Sequence, residues 1–173
     1  MAKTAFIGLG VMGYPMAGHL VAAGHDVTVY NRNGAKADAW VKKHGGQKAA
    51  TPAEAASGAE FVFTCVGNDD DLRSVTLGSD GAFAGVAKGA VFVDHTTVSA
   101  VVTRELASIA TVNGFSFIDA PVSGGQAGAE NGALGVMCGG DAVAYGRAEP
   151  IIDAYAKACK LLGGSGSGQL TKM

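Results

Sequence analysis

The sequence predicts an α/β protein built on a doubly wound, mostly parallel Rossmann-type sheet. Three observations lead there. Short apolar runs of strand length alternate with segments of helical spacing along the chain, the order that builds parallel sheets. The first run, residues 4–7, passes directly into Gly8-Leu9-Gly10-Val11-Met12-Gly13, a GxGxxG at a strand-to-helix turn. Glycine makes up 27 of 173 residues with no collagen-like period, about twice its usual share, so these residues serve tight turns and close backbone approaches.

The elements run in order. Residues 4–7 read as a buried parallel strand. From 12 to 23, Met12, Met16, Leu20 and Ala23 recur at helical spacing, and Gly24 stops the helix. Residues 26–30 (DVTVY) are rich in strand formers, and 35–44 form a helix closed by Gly45-Gly46. Thr51-Pro52 opens a short helix through Ala56, with threonine as cap and proline at the first position. Residues 60–66 (EFVFTCV) are a strand, with a polar turn and helix after it over 68–77. A strand at 90–94 precedes a helix at 99–113 that Ser99 caps. Residues 115–122 read as a strand that leads into a Gly/Ala-rich segment, 123–132. After a short strand at 134–138, Asp141 caps a helix expected to run to residue 162, with Pro150 as a kink or break. The end, GGSGSGQLTKM, reads as a glycine-rich turn.

Composition narrows the function. A chain of this length suits one domain with a real core. Charged residues are only 16%, with 13 Lys+Arg against 15 Asp+Glu, which argues against disorder and against a strongly basic nucleic-acid surface. Cys65, Cys138 and Cys159 form no CxxC pair, which favours a reducing compartment over a disulfide framework or structural zinc. The apolar runs fall far short of the ~20 residues of a membrane span, and MAKTAFIGLG has no signal-peptide layout. The expectation is a cytoplasmic protein with neither a membrane nor a nucleic-acid partner.

The GxGxxG carries the first chemical inference. Its first glycine permits the tight turn, the second lets backbone approach a pyrophosphate, and the third lets helix pack on strand. The helix start behind it offers N–H groups and the positive end of a dipole. Strand, motif, helix and second strand all fit the unit that binds dinucleotides. At the end of the second strand NAD proteins place an acid on the ribose, and here stand Asn31-Arg32-Asn33. With no carboxylate to repel a 2′-phosphate and an arginine able to grip it, NADP is the expected cofactor and NAD the alternative.

Two further segments leave alternatives open. The turn Asp119-Ala120-Pro121-Val122-Ser123-Gly124-Gly125 can hold a carboxylate on backbone N–H groups and a hydroxyl, or it is an ordinary strand-to-helix turn. Lys172 is a solvated surface charge, or a proton donor beside a pocket. His19, His25 and His44 have no partner at metal-ligand spacing, so no metal site is expected. Asp69-Asp70-Asp71 reads as a solvated helix start, Cys65 as core, and His95 as either core or cofactor edge.

Four blocks together carry a resemblance: AFIGLGVMGYPMAGHL (5–20), VDHTTVS (93–99), DAPVSGGQAGAENGALGVMCGG (119–140) and GSGQLTK (166–172). They resemble the β-hydroxyacid dehydrogenase family, which includes 3-hydroxyisobutyrate dehydrogenases, tartronate semialdehyde reductases and glyoxylate/succinic semialdehyde reductases. The resemblance implies an NADP-linked oxidoreductase acting on a short 3-hydroxy acid or its semialdehyde, a small carboxylate-bearing substrate. By the same resemblance, Gly8, Leu9, Gly10, Val11, Met12 and Gly13 hold the pyrophosphate. Cys65, Val66, Gly67 and Asn68 line the cofactor, with Gly67 standing where the family commonly has proline. Thr97 lies near the nicotinamide ribose, and Ser123, Gly124 and Gly125 anchor the substrate carboxylate. Lys172 matches the catalytic lysine that protonates the carbonyl oxygen in reduction and takes the hydroxyl proton in oxidation.

The family continues past this lysine with an asparagine, an interdomain helix and an all-α domain. These expectations therefore divide the chain into residues 1–163, a dinucleotide-binding domain with the substrate-anchor segment, and 164–173, a turn leading to the lysine. A chain truncated there is expected to bind cofactor but turn over poorly, and to form the family's homo-oligomer only at full length. Two other readings are a non-catalytic dinucleotide-binding module and an imine reductase-like enzyme. Both lack this lysine, so Lys172 argues against them.

Overall fold

A computed structural model describes all residues from Met1 to Met173. Six parallel strands form the main sheet: β1 (Lys3–Ile7), β2 (Asp26–Tyr30), β3 (Gln47–Lys48), β4 (Phe61–Thr64), β5 (Val91–Asp94) and β6 (Ser116–Asp119). Their spatial order is β3-β2-β1-β4-β5-β6, so the winding reverses between β1 and β4.

Alternation along each strand makes the two-sided core. Phe6, Phe63, Val93 and Ile118 face a cluster under α1 (Gly13–Ala22), α2 (Gly34–His44) and α7 (Ala142–Ile152). Ala5, Ile7, Val62, Phe92 and Phe117 face the other cluster, under α3 (Pro52–Ala56), α4 (Asp69–Leu77) and α5 (Ala100–Asn113). Successive strand residues point to opposite faces, so a strand covered on both sides is apolar on both, as Phe61, Val62 and Phe63 of β4 are. Among the longer helices, Asn33, Asn68, Ser99 and Asp141 each cap one by accepting a backbone N–H. Of these longer helices, α1 alone has no side-chain cap.

Several expectations need correction. The segment 115–122 is not one strand: β6 ends at Asp119, and β7 (Val122–Ser123) belongs to a second, smaller sheet. Pro121 lies between them and has no N–H for a ladder. The strand at 134–138, β8 (Leu134–Cys138), lies in that small sheet, antiparallel to β7 and parallel to β9 (Ala156–Leu161). The helix opened by Asp141 therefore ends at Ile152, not at residue 162. Residues 156–161 have helix-forming alanine, lysine and leucine, but pairing with β8 overrides that preference. Within the Gly/Ala-rich segment lies α6 (Gly125–Glu130), and the terminal turn tightens into α8 (Ser167–Lys172). No helix is long and apolar enough to cross a membrane.

Candidate active site

A cavity of about 430 Å³ opens beyond the carboxyl ends of the paired strands β1 and β4, the crevice in which doubly wound sheets take ligands. Gly8, Gly10, Val11, Met12 and Gly13 form its floor, Asn31 and Arg32 one end, and Cys65, Val66 and Gly67 the opposite wall. The glycine spacing has local causes. Gly8 has φ +100, and a Cβ there would strike the Cys65 carbonyl; one on Gly13 would strike the Gly8 carbonyl. Gly10 meets nothing within 4 Å and leaves the backbone open to the cavity. With α1 uncapped behind it, this floor fits a pyrophosphate, and the residues present fit a dinucleotide.

Other expected cofactor residues fall around the rim. The Leu9 side chain is fully buried, and its N–H is donated to Asn31 Oδ1 at 2.9 Å, which fixes the end of β2 against the glycine turn. Asn33 and Asn68 spend their side-chain oxygens on capping α2 and α4. Arg32 is exposed and has no ion-pair partner. Asp71, in the first turn of α4, also lines the cavity, although its sequence context reads as solvated. Its neighbour Asp69 accepts the Ser99 N–H and hydroxyl at 3.1 and 2.7 Å, which holds its carboxyl below the usual range and locks α5 to α4. Adjacent helix positions point in different directions, so the three aspartates differ in role.

Behind the wall lies a buried polar layer. The Val66 N–H is donated to Thr96 Oγ1 at 3.0 Å, and the Thr96 N–H to Asp94 Oδ1, also at 3.0 Å. Asp94 takes a further bond from the Thr64 hydroxyl on the same oxygen, while its Oδ2 has no partner. Burial raises Asp94 to about 7 against these stabilising bonds. His95 is core: its ring nitrogens meet the Ala120 carbonyl and the Tyr155 hydroxyl, both at 2.6 Å, and it stacks on Phe63. Burial lowers it to about 4, so it is neutral at pH 7. Cys65 is pushed up to about 12 by burial and by Asp94 nearby.

Three distant segments converge beyond that layer. Lys172, at the end of α8, donates from Nζ to the Val122 carbonyl at 2.6 Å. It thereby lies beside Ser123, Gly124 and Gly125, which are all exposed. The buried Gln169 side chain donates to the Thr96 carbonyl at 2.7 Å and accepts the Val98 N–H at 3.2 Å, bracketing the exposed Thr97. Asp119 is fully buried and accepts the Gly166 and Gln169 N–H groups, one on each oxygen, at 2.9 and 3.1 Å. Burial raises its carboxyl and these N–H bonds lower it, with burial dominant. The sequence alone assigns neither Asp119 nor Gln169 a role. The available signal is a carboxylate and an amide inside otherwise apolar, glycine-rich blocks.

A family model of the NAD binding domain of 6-phosphogluconate dehydrogenase matches residues 3–164. An oxidoreductase of Shewanella frigidimarina, described as uncharacterized, is 63% identical over the whole chain, which covers 60% of that protein. The 3-hydroxyisobutyrate dehydrogenase of Pseudomonas aeruginosa is 36% identical, again over the whole chain and 58% of its own length. Among solved structures, Mycobacterium tuberculosis 3-hydroxyisobutyrate dehydrogenase with L-serine superposes with a TM-score of 0.93 at 34% identity, covering 99% of this chain and 58% of that one. The chain thus spans under two thirds of the length of these relatives.

Proposed function

Because the chain belongs to the family of NAD-binding domains of 6-phosphogluconate dehydrogenase, and its relatives include 3-hydroxyisobutyrate dehydrogenases, we propose that it is the cofactor-binding part of an NADP-linked oxidoreductase. Its substrates are a short 3-hydroxy acid and the corresponding semialdehyde. One observation carries this reading: the Lys172 ammonium is held on the Val122 carbonyl, one residue from the Ser123–Gly125 turn. An ammonium fixed beside a small-residue turn is the arrangement that positions a carbonyl substrate by its carboxylate and protonates its oxygen.

The roles then divide along the chain. Gly8 to Gly13 take the pyrophosphate, and Asn31, Arg32 and Asn33 the adenosine ribose with its 2′-phosphate. Cys65, Val66 and Gly67 form the wall, with Asn68 beyond it at the α4 cap, and Thr97 meets the nicotinamide ribose. A bound nicotinamide supplies or receives the hydride. Negative charge grows on the substrate oxygen during reduction, and Lys172 neutralises it by giving a proton; in the reverse direction it removes one. Ser123, Gly124 and Gly125 fix the carboxylate and so the carbonyl's orientation. In residues 1–173 alone, Lys172 and that turn are exposed. Water reaches the reacting centre, so this chain binds cofactor and turns over slowly. Brisk steady-state reduction of succinic, tartronate or methylmalonate semialdehyde by residues 1–173 would contradict that expectation.

Cofactor choice is tested by fluorescence titration with NADPH and NADH. Tighter NADPH binding is expected, and Arg32→Ser should weaken NADPH by roughly tenfold, one charge-assisted hydrogen bond, while leaving NADH unchanged. No loss for either cofactor would make Arg32 a surface charge. Equal loss for both would place it on a part the two share rather than on the 2′-phosphate, and a preference for NADH would make the enzyme NAD-linked.

A further inference from the structure

Two of the three cysteines meet in the small sheet. Cys138 ends β8, Cys159 lies in β9, and their sulfurs are 3.7 Å apart with both thiols free. Val136 is the ladder partner of Cys159, so the thiols approach on the diagonal of the pair. Cys138 is fully buried, whereas Cys159 is half-buried on a strand with no neighbour on its outer side. The contact between them favours one thiolate over the other: it pulls Cys159 below its ordinary value and, with burial, pushes Cys138 above it. The more accessible sulfur is therefore the better nucleophile, and a second thiol stands next to it.

We propose that Cys138 and Cys159 form an oxidation site that reacts with a hydroperoxide and ends as an intramolecular disulfide. The Cys159 thiolate attacks a peroxide oxygen; an S–O bond forms, the O–O bond breaks, and the departing hydroxide takes up the thiol's proton as water. Cys138 then loses its proton and attacks the Cys159 sulfur; the S–O bond breaks, the S–S bond forms, and the proton leaves with the hydroxide as a second water. The dithiol is oxidised by two electrons, and hydrogen peroxide is reduced to two waters. Closing the gap to the ~2.0 Å of a disulfide draws β9 along β8, a movement open to an edge strand.

The consequence reaches the turn between β9 and α8. The Leu162 N–H is donated to the Cys138 carbonyl at 2.8 Å, and the Gly140 N–H to the Gly163 carbonyl at 3.0 Å. Cys138 and the residues after it thus hold the start of that turn, and a shift of β9 displaces the helix carrying Lys172. That consequence rests on the function proposed above, whereas the cross-link does not.

The test treats the reduced chain with hydrogen peroxide, alkylates the remaining thiols and digests with trypsin, which places each cysteine on its own peptide. The expected result is an intact mass short by two hydrogens, a Cys138–Cys159 linked peptide and an alkylated Cys65. In Cys138→Ser, oxidation should stop at a sulfenic acid on Cys159 that dimedone captures. Cross-linking through Cys65, disulfide dimers, or Cys159 reaching the sulfinic acid in the unmutated chain without a linked peptide would overturn the proposal, as would full alkylation of both thiols. NADPH titration of the same samples reports the cofactor site separately.

Discussion

Asp94 and His95 are neighbours in sequence, both buried, and shifted in opposite senses by the same cause. Burial favours the neutral form of each, which raises the acid to about 7 and lowers the base to about 4. The unpartnered Asp94 Oδ2 fits this, since an unpaired oxygen is far cheaper to bury protonated than charged. The two residues then bias stability oppositely with pH. Asp94 holds a proton in the fold that the unfolded chain releases above about pH 4. Its contribution is therefore full below that value and lost as pH rises through 7. His95 stays neutral in the fold while the unfolded chain takes a proton below about pH 6.5, so its contribution is lost as pH falls through 6.5 toward 4. Urea unfolding of the wild type and Asp94→Asn at a series of pH values separates them. The wild type should lose on the order of 4 kcal/mol relative to the variant between pH 4 and 7. Parallel stability curves would mean that Asp94 is ionised in the fold.

Elements differ in how far they depend on distant partners. Asp119 closes β6, yet its carboxylate holds the first turn of α8 through the Gly166 and Gln169 N–H groups. Asp119→Ala would leave those donors buried and unpaired, at a cost of about 1–3 kcal/mol each. Hydrogen exchange at Gly166, Gly168 and Gln169 should then quicken by tenfold or more, while β1 and β4 keep their protection. Unchanged exchange in that turn would show that α8 is held by other contacts.

The same distinction explains what is legible in the sequence. The β1–α1–β2 unit is legible because its signals are local: an apolar run, glycine spacing, and then helical periodicity. The helices capped by Asn68, Ser99 and Asp141 begin where their cap residues stand. By contrast, β9 is a strand only because β8 lies beside it, and β3 is two residues on an edge. Neither signal exists within the segment itself. Lys172 reads equally as a surface charge or a proton donor until the fold brings it to Val122, fifty positions away. Asp71 looks solvated in the sequence because its distance from the glycine turn is set by the strand order, not by the chain.

At the scale of the whole molecule, separate blocks are joined into one assembly. The glycine turn meets the wall at Cys65, Val66 is tied to Thr96, Thr96 to Gln169, and Gln169 to Asp119 and the helix of Lys172. The reversal of strand order between β1 and β4 opens the crevice at one end of this chain of contacts. The lysine stands at the other end. A dinucleotide is expected to occupy that crevice, and every role proposed for the surrounding residues depends on it. A second, polar cavity of about 260 Å³ lies at the opposite strand ends, lined by Lys3, Asp26, Lys48 and Glu54, and serves as an internal comparison. An amide NMR titration of the isotope-labelled chain with NADP+ distinguishes the two. Saturable shifts are expected at Gly8 to Gly13, Asn31 to Asn33 and Cys65 to Asn68, with Lys3, Asp26 and Lys48 unmoved. Shifts confined to the second cavity, or none at saturating cofactor, would rule out a dinucleotide in the crevice.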